Sequence, residues 1–204
     1  YSMLAKELDA FEIEKLKRKP IVQKLLDGNW YQYGKEPELQ KIVKASSQAI
    51  QNINDIAKHD FDKALQKIKV IAPNIDASVE IYFPISSIEY PENVIIKPGT
   101  FINSGLQILS AGIVKIGKNC FIGPNCSLYT PNHHPYDKIL RREGWQYDAG
   151  ITIGDDCWFG GNVTVLPGVS LGDNVVVGAG SVITKSFGDD AIIAGNPARI
   201  IKNL

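Results

Sequence analysis

Residues 151–185 read ITIGDDCWFGGNVTVLPGVSLGDNVVVGAGSVITK, and an aliphatic or aromatic side chain returns at every sixth position: Ile153, Phe159, Val165, Leu171, Val177 and Ile183. The register continues backward through Ile116, Ile122 and Leu128, and through Ile96, Ile102 and Ile108. Leu, Ile and Val supply 54 of the 204 residues, yet they hold eleven of these twelve positions, far more than a free choice of frame would give. Glycine often follows the anchor, at Gly117, Gly123, Gly154, Gly160, Gly172 and Gly178. Four positions after it stands a small or mid-sized side chain, as at Thr100, Cys120, Cys126, Cys157, Val163, Val169, Val175 and Ser181. One inward aliphatic per six residues, followed by a tight turn, describes a flat-sided coil. The expected fold is therefore mainly β, a parallel β-helix with three hexads to a turn and about four turns from residue 94 onward.

Before that point the chain obeys another rule. Only Gly28 and Gly34 precede residue 94, and the apolar spacing becomes helical. Leu4, Leu8, Phe11 and Leu16 lead up to Pro20, and Ile21 to Gly28 forms a second short segment. Pro37 to Ile56 is a long amphipathic helix on Leu39, Ile42, Val43, Ala49, Ile50 and Ile53, with Pro37 in the first turn, where a missing N–H costs nothing. A fourth helix starts after Asp60 as N-cap, runs through Leu65 and Ile68, and stops before Pro73. The expected division is a helical extension over 1–21, a helical domain over 22–78 and the coil over 79–204. A parallel coil has open ends, and the helical part and the segment after Asp189 are the expected caps.

Composition narrows the function. With 22 basic and 22 acidic residues the chain has no global field to gather nucleic acid or an anionic membrane, so any binding of phosphates must be local. No apolar run is long enough to span a bilayer, and Lys6, Glu7 and Asp9 stand where a secretion signal would carry its apolar block, so the expected location is cytoplasmic. Tyr1 and Ser2 precede the only methionine, Met3, and read as an addition to the chain. Three cysteines cannot all pair within one chain. Cys120, Cys126 and Cys157 share one position of the hexad, which marks them as packing thiols and not as a metal site or nucleophile.

The repeat breaks once where it matters. From 128 to 153 the spacing is one hexad plus nineteen residues, so a loop over 129–150, YTPNHHPYDKILRREGWQYDAG, leaves the coil. It contains His133 and His134, flanked by Pro131 and Pro135, two of the three histidines of the chain. From the residues alone, a pair of solvated loop histidines and a pair of catalytic ones are both open readings.

The surrounding sequence resembles the maltose and galactoside O-acetyltransferase family. The matching stretches are LLDGNWYQYGKEPELQKI from Leu25 to Ile42, FINSG, IGPNCSLYTPNHHPYD, residues 151–185 and AGNPARIIK, in that order. The resemblance implies a left-handed parallel β-helix of hexapeptide repeats, acetyl-CoA as co-substrate, no metal, and a homotrimer with active sites between neighbouring subunits. It also implies roles. His134, directly before proline, maps to the base that takes the hydroxyl proton, a task suited to imidazole. Asn103 maps to a residue beside the acceptor hydroxyl, and the Gly161 backbone N–H to the oxyanion donor. Attack is direct, without an acyl-enzyme. Trp158, Gly160, Gly161, Ala179 and Thr184 map along the pantetheine and adenine of coenzyme A, and Lys185, Arg199 and Lys202 to its phosphates.

Departures fall on the acceptor side. Gln146 replaces a glutamate near the catalytic histidine, Ser110 and Tyr33 each replace an aspartate, and Glu89 stands at a serine or aspartate position. The expected function is acetyl transfer from acetyl-CoA to a hydroxyl of a sugar or sugar-like acceptor. Two alternatives are a trimeric scaffold that keeps coenzyme A binding without turnover, and a hexapeptide enzyme for a non-sugar acceptor or another chemistry. A zinc lyase of this kind needs about three histidines, whereas the repeat half has only His133 and His134.

Overall fold

The computed structural model describes residues 10–204. Leu4 and Leu8 of the first expected helix lie outside them. Four helices open the described chain: α1 (Ala10–Lys17), α2 (Ile21–Leu26), α3 (Pro37–Ala57) and α4 (Phe61–Ile71). Asp60 caps α4, its carboxylate accepting from the Lys63 N–H at 3.0 Å. Leu39, Ile50 and Ile53 of α3 are buried, while Ile42 stays partly exposed. Ile50 and Ile53, with Ala64 and Ile68 of α4, pack on Ile75, Val79, Ile81 and Ile85, so these two helices close the open lower end of the coil.

The rest is a parallel β-helix whose three flat faces are three sheets. The first face stacks Val94–Ile96, Val114–Ile116, Ile151–Ile153 and Ser170–Leu171. The second stacks Glu80–Ile81, Phe101–Ile102, Phe121–Ile122, Trp158–Phe159, Val175–Val177 and Ala191–Gly195. The third stacks Ser87–Ile88, Gln107–Leu109, Ser127–Tyr129, Thr164–Val165 and Val182–Ile183. All twelve hexad anchors are no more than 2% exposed and belong to one core. At roughly 2 kcal/mol for each buried aliphatic, this rod outweighs any surface term.

The winding has about six turns, not the four counted from a strict six-residue register. An opening turn runs through Ile75, which bridges to Ile96, then Ile81 and Ile88. These anchors are six, seven and eight residues from the next, so a fixed period misses them. Phe187 bridges to Leu171 and begins the closing turn only four residues after Ile183. Ala198–Asn203 then folds back antiparallel on Ala191–Gly195 and covers the upper edge of the second face.

Candidate active site

The loop is itself folded. Pro131–His133 and Trp145–Asp148 pair antiparallel, with the short helix α5 (Lys138–Arg142) between them, and Tyr31–Gln32 adds a third strand from the helical region. The Tyr31 hydroxyl donates to Asp148 Oδ2 at 2.6 Å and receives the Gln146 amide at 2.8 Å. Asp148 Oδ1 receives the Thr130 hydroxyl at 2.6 Å. This carboxyl is 4% exposed, and burial holds it above the usual carboxylate range although both hydrogen bonds pull it down. It ties together helical region, loop and coil.

His134 is 8% exposed and held on every side. The Trp30 indole stacks on it at 5.3 Å between centroids, and Arg141 donates to its carbonyl at 2.8 Å. Its Nδ1 accepts the Asp137 backbone N–H at 2.9 Å. A ring nitrogen that accepts carries no proton, so the neutral imidazole here has its hydrogen on Nε2. In this state His134 presents a donor at Nε2, whereas a base acting there needs the ring proton on Nδ1. His133 is exposed and lines a cavity of 310 Å³ with Tyr129, Asn132, Tyr136, Tyr147 and Pro167. A larger, mostly apolar cavity of 570 Å³ lies between α2, α3 and Tyr90–Asn93 and is lined by none of the candidate catalytic, cofactor or acceptor residues.

The remaining candidates divide between two edges of the prism. Asn103, Gly160, Gly161 and Ala179 lie where the second face turns into the third. Asn103 donates its N–H to the Ile122 carbonyl and Gly160 to that of Val177, so successive corners stack. A Cβ on Gly160 would meet the Ala179 nitrogen at 2.6 Å, so glycine is required there by the neighbouring turn alone. Glu89, Ser110, Thr184, Lys185 and the root of the loop lie on the next edge, where the third face turns into the first. Tyr33 and Gln146 belong to this second group: Glu89 sits close enough to Tyr33 to help burial raise its phenol, and burial with the nearby Asp148 charge raises Glu89 itself. One chain therefore does not bring His134 and Asn103 to the same edge.

Two acceptor-side expectations change. Ser110 is fully buried, and its hydroxyl both accepts from the Tyr90 N–H and donates to the Tyr90 carbonyl, leaving nothing for a substrate. Gln146 binds Tyr31, not His134. Trp158 is 57% exposed and continues an outward aromatic stripe through Phe121, Phe101 and Tyr82 on the second face. Lys185, Arg199 and Lys202 are exposed and free of acidic partners among the described residues, with the Lys185 ammonium 5.5 Å over the Phe187 ring. The cysteines are buried, and each Sγ–H points to a glycine carbonyl one turn on: Gly154, Gly160 and Gly172 at 3.2–3.3 Å. Sequence reading missed Trp30, Tyr31, Asp137 and Asp148. Trp30, Tyr31 and Asp137 lie in stretches quoted for their resemblance, but only the fold places the first two against the loop and the Asp137 N–H against His134.

A parallel prism with one extruded histidine loop is a hexapeptide-repeat architecture, and residues 113–128 and 150–185 match the family described as the hexapeptide repeat of succinyl-transferase. A putative acetyltransferase of Saccharomyces cerevisiae is 33% identical over 184 residues, covering 90% of this chain and 93% of that protein. The crystal structure of a maltose O-acetyltransferase from Clostridium difficile 630 superposes with a TM-score of 0.86 at 30% identity, covering 91% of this chain and 98% of that one. A galactoside acetyltransferase in complex with coenzyme A follows at 0.81 and 29%, covering 91% and 92%. The chain belongs to the maltose and galactoside O-acetyltransferase family of hexapeptide-repeat enzymes and is an acetyltransferase.

Proposed function

We propose that the chain moves an acetyl group from acetyl-CoA to a hydroxyl of a sugar or sugar-like acceptor, by direct attack within a ternary complex. The observation that carries this reading is the clamped imidazole of His134 on the only long interruption of the coil, in a chain related to sugar acetyltransferases. His134 is the proposed base, acting at Nε2 when the ring proton lies on Nδ1. Gly161 N–H steadies the oxyanion, and Asn103 orients the acceptor hydroxyl. Lys185, Arg199 and Lys202 meet the phosphates of coenzyme A, while Trp158, Gly160, Ala179 and Thr184 line its path.

The split between two edges supports a trimeric assembly as part of this reading. In a threefold ring each chain offers its loop edge to one neighbour and its glycine edge to the other, so three complete sites form from three incomplete ones. The stripe of exposed Tyr82, Phe121 and Trp158, with half-buried Phe101 among them, supplies apolar surface for such a contact.

The test is thiol release from acetyl-CoA across a panel of sugars and polyols. His134→Ala is expected to lower turnover roughly 10²- to 10⁴-fold while KM for acetyl-CoA changes little. An unaffected rate removes the assignment. Arg199→Ala is expected to raise KM for acetyl-CoA more than for its dephospho analogue, and equal penalties contradict phosphate contact. Coenzyme A binding without turnover on any acceptor favours the scaffold reading instead.

A further inference from the structure

The bond from the Asp137 N–H to His134 Nδ1 poses a chemical problem for a base. When a hydroxyl attacks the thioester, a C–O bond forms and the C–S bond breaks. The hydroxyl proton must pass to Nε2 and from there to the departing sulfur, which leaves as the free thiol. Nε2 can receive that proton only if the ring hydrogen lies on Nδ1, and Nδ1–H then faces a donor, the Asp137 backbone N–H, with which it cannot bond. The ring needs an acceptor at this place. The glutamate expected for it is Gln146 in this sequence, and that amide is engaged by Tyr31.

The same residue that supplies the donor also carries a carboxylate. Asp137 caps α5, Oδ1 accepting from the Ile139 N–H at 2.7 Å and the Leu140 N–H at 3.1 Å. Oδ2 has no partner among the described residues. Those backbone donors, with His134 and Arg141 nearby, hold the carboxyl below the usual range, so it is charged whenever the loop is folded near neutral pH. The groups that face the imidazole are Trp30 from the helical region and Asp137 and Arg141 from α5 and the turn before it, with Tyr147 of the returning strand packed edge-on to Trp30. Asp137 is the acid among them.

Resting on the acetyl-transfer reading, we propose that Asp137 is a positioning residue with two settings: its backbone N–H holds His134 in the Nε2–H tautomer at rest, and its carboxylate accepts from Nδ1–H when the ring works as base. A small rotation of the 134–137 turn exchanges one partner for the other, and the carboxylate then stabilises the imidazolium that forms in transit.

Two measurements test this on the full-length chain. Nitrogen-15 NMR of the imidazoles, without substrate, is expected to place the neutral His134 proton on Nε2; a proton on Nδ1 at rest overturns the proposal. Asp137→Asn can keep the helix cap and the backbone N–H, but it turns the other carboxylate oxygen into an NH2 donor and so removes both the charge and the acceptor meant for Nδ1–H. It is expected to leave the resting tautomer and KM for acetyl-CoA unchanged and to lower kcat roughly 10- to 100-fold. Asp137→Ser, another capping residue without charge, is expected to match it. A wild-type kcat in both variants, or a rise in KM that matches any fall in kcat, overturns the role of Asp137. A wild-type chain that never releases thiol sinks acetyl transfer itself, and the NMR result still judges the resting tautomer.

Discussion

The corners of the coil are made by residues with a left-handed backbone. Asn119, Asn125, Asp156, Asn162, Asn174 and Asp190 all have φ between 55° and 58°, and each stands three positions after an inward anchor. Gly99, Gly105, Gly168 and Gly180 fill the same place with φ between 72° and 85°. This signal was in the sequence beside the aliphatic period, because only Gly, Asn and Asp visit this region readily. The preference also fixes an expectation: Asn125→Ala should destabilise by about 1–2 kcal/mol and Asn125→Gly by much less, measured by chemical denaturation. Equal effects would mean that the left-handed turn is not what the asparagine supplies.

At the scale of elements, the loop and the helical region form one unit, and this was not legible in advance. The hexad count located the loop, because nineteen extra residues in a fixed period cannot be hidden. It could not show that Tyr31–Gln32, over a hundred residues earlier, would pair with Trp145–Gln146, since no local periodicity encodes a contact of that range. The knot of this unit is Asp148. Its folded carboxyl lies above the ordinary value of 3.8, so the folded chain holds that proton more tightly than the unfolded one. The stability it contributes is therefore full below about 3.8 and is lost as pH rises through the elevated folded value. Asp148→Asn should accordingly flatten the fall in thermal midpoint as pH rises above about 4, whatever its effect on the midpoint at a single pH. A slope as steep as that of the wild type would place the pH dependence elsewhere, Glu89 being the next raised carboxyl.

For the whole molecule, the prism was legible because all twelve anchors point inward, whereas the turns at either end escaped a strict six-residue count because their spacings vary. The site was legible as a set of residue types but not as a place. Sequence order interleaves Asn103, His134 and Gly161, and only three-sided winding sorts them onto two separate edges. Closure of those edges by neighbouring copies is the central claim, and activity of mixed assemblies tests it most directly. Chains carrying Asn103→Ala and chains carrying His134→Ala, each nearly inactive alone, are to be co-expressed with different tags and the mixed oligomers isolated. If every site takes its imidazole from one chain and its asparagine from the next, the isolated mixed trimers should return about a third of wild-type activity, since about one interface in three pairs two intact residues. Mixed oligomers as inactive as their parents would place both residues in one chain and contradict the account.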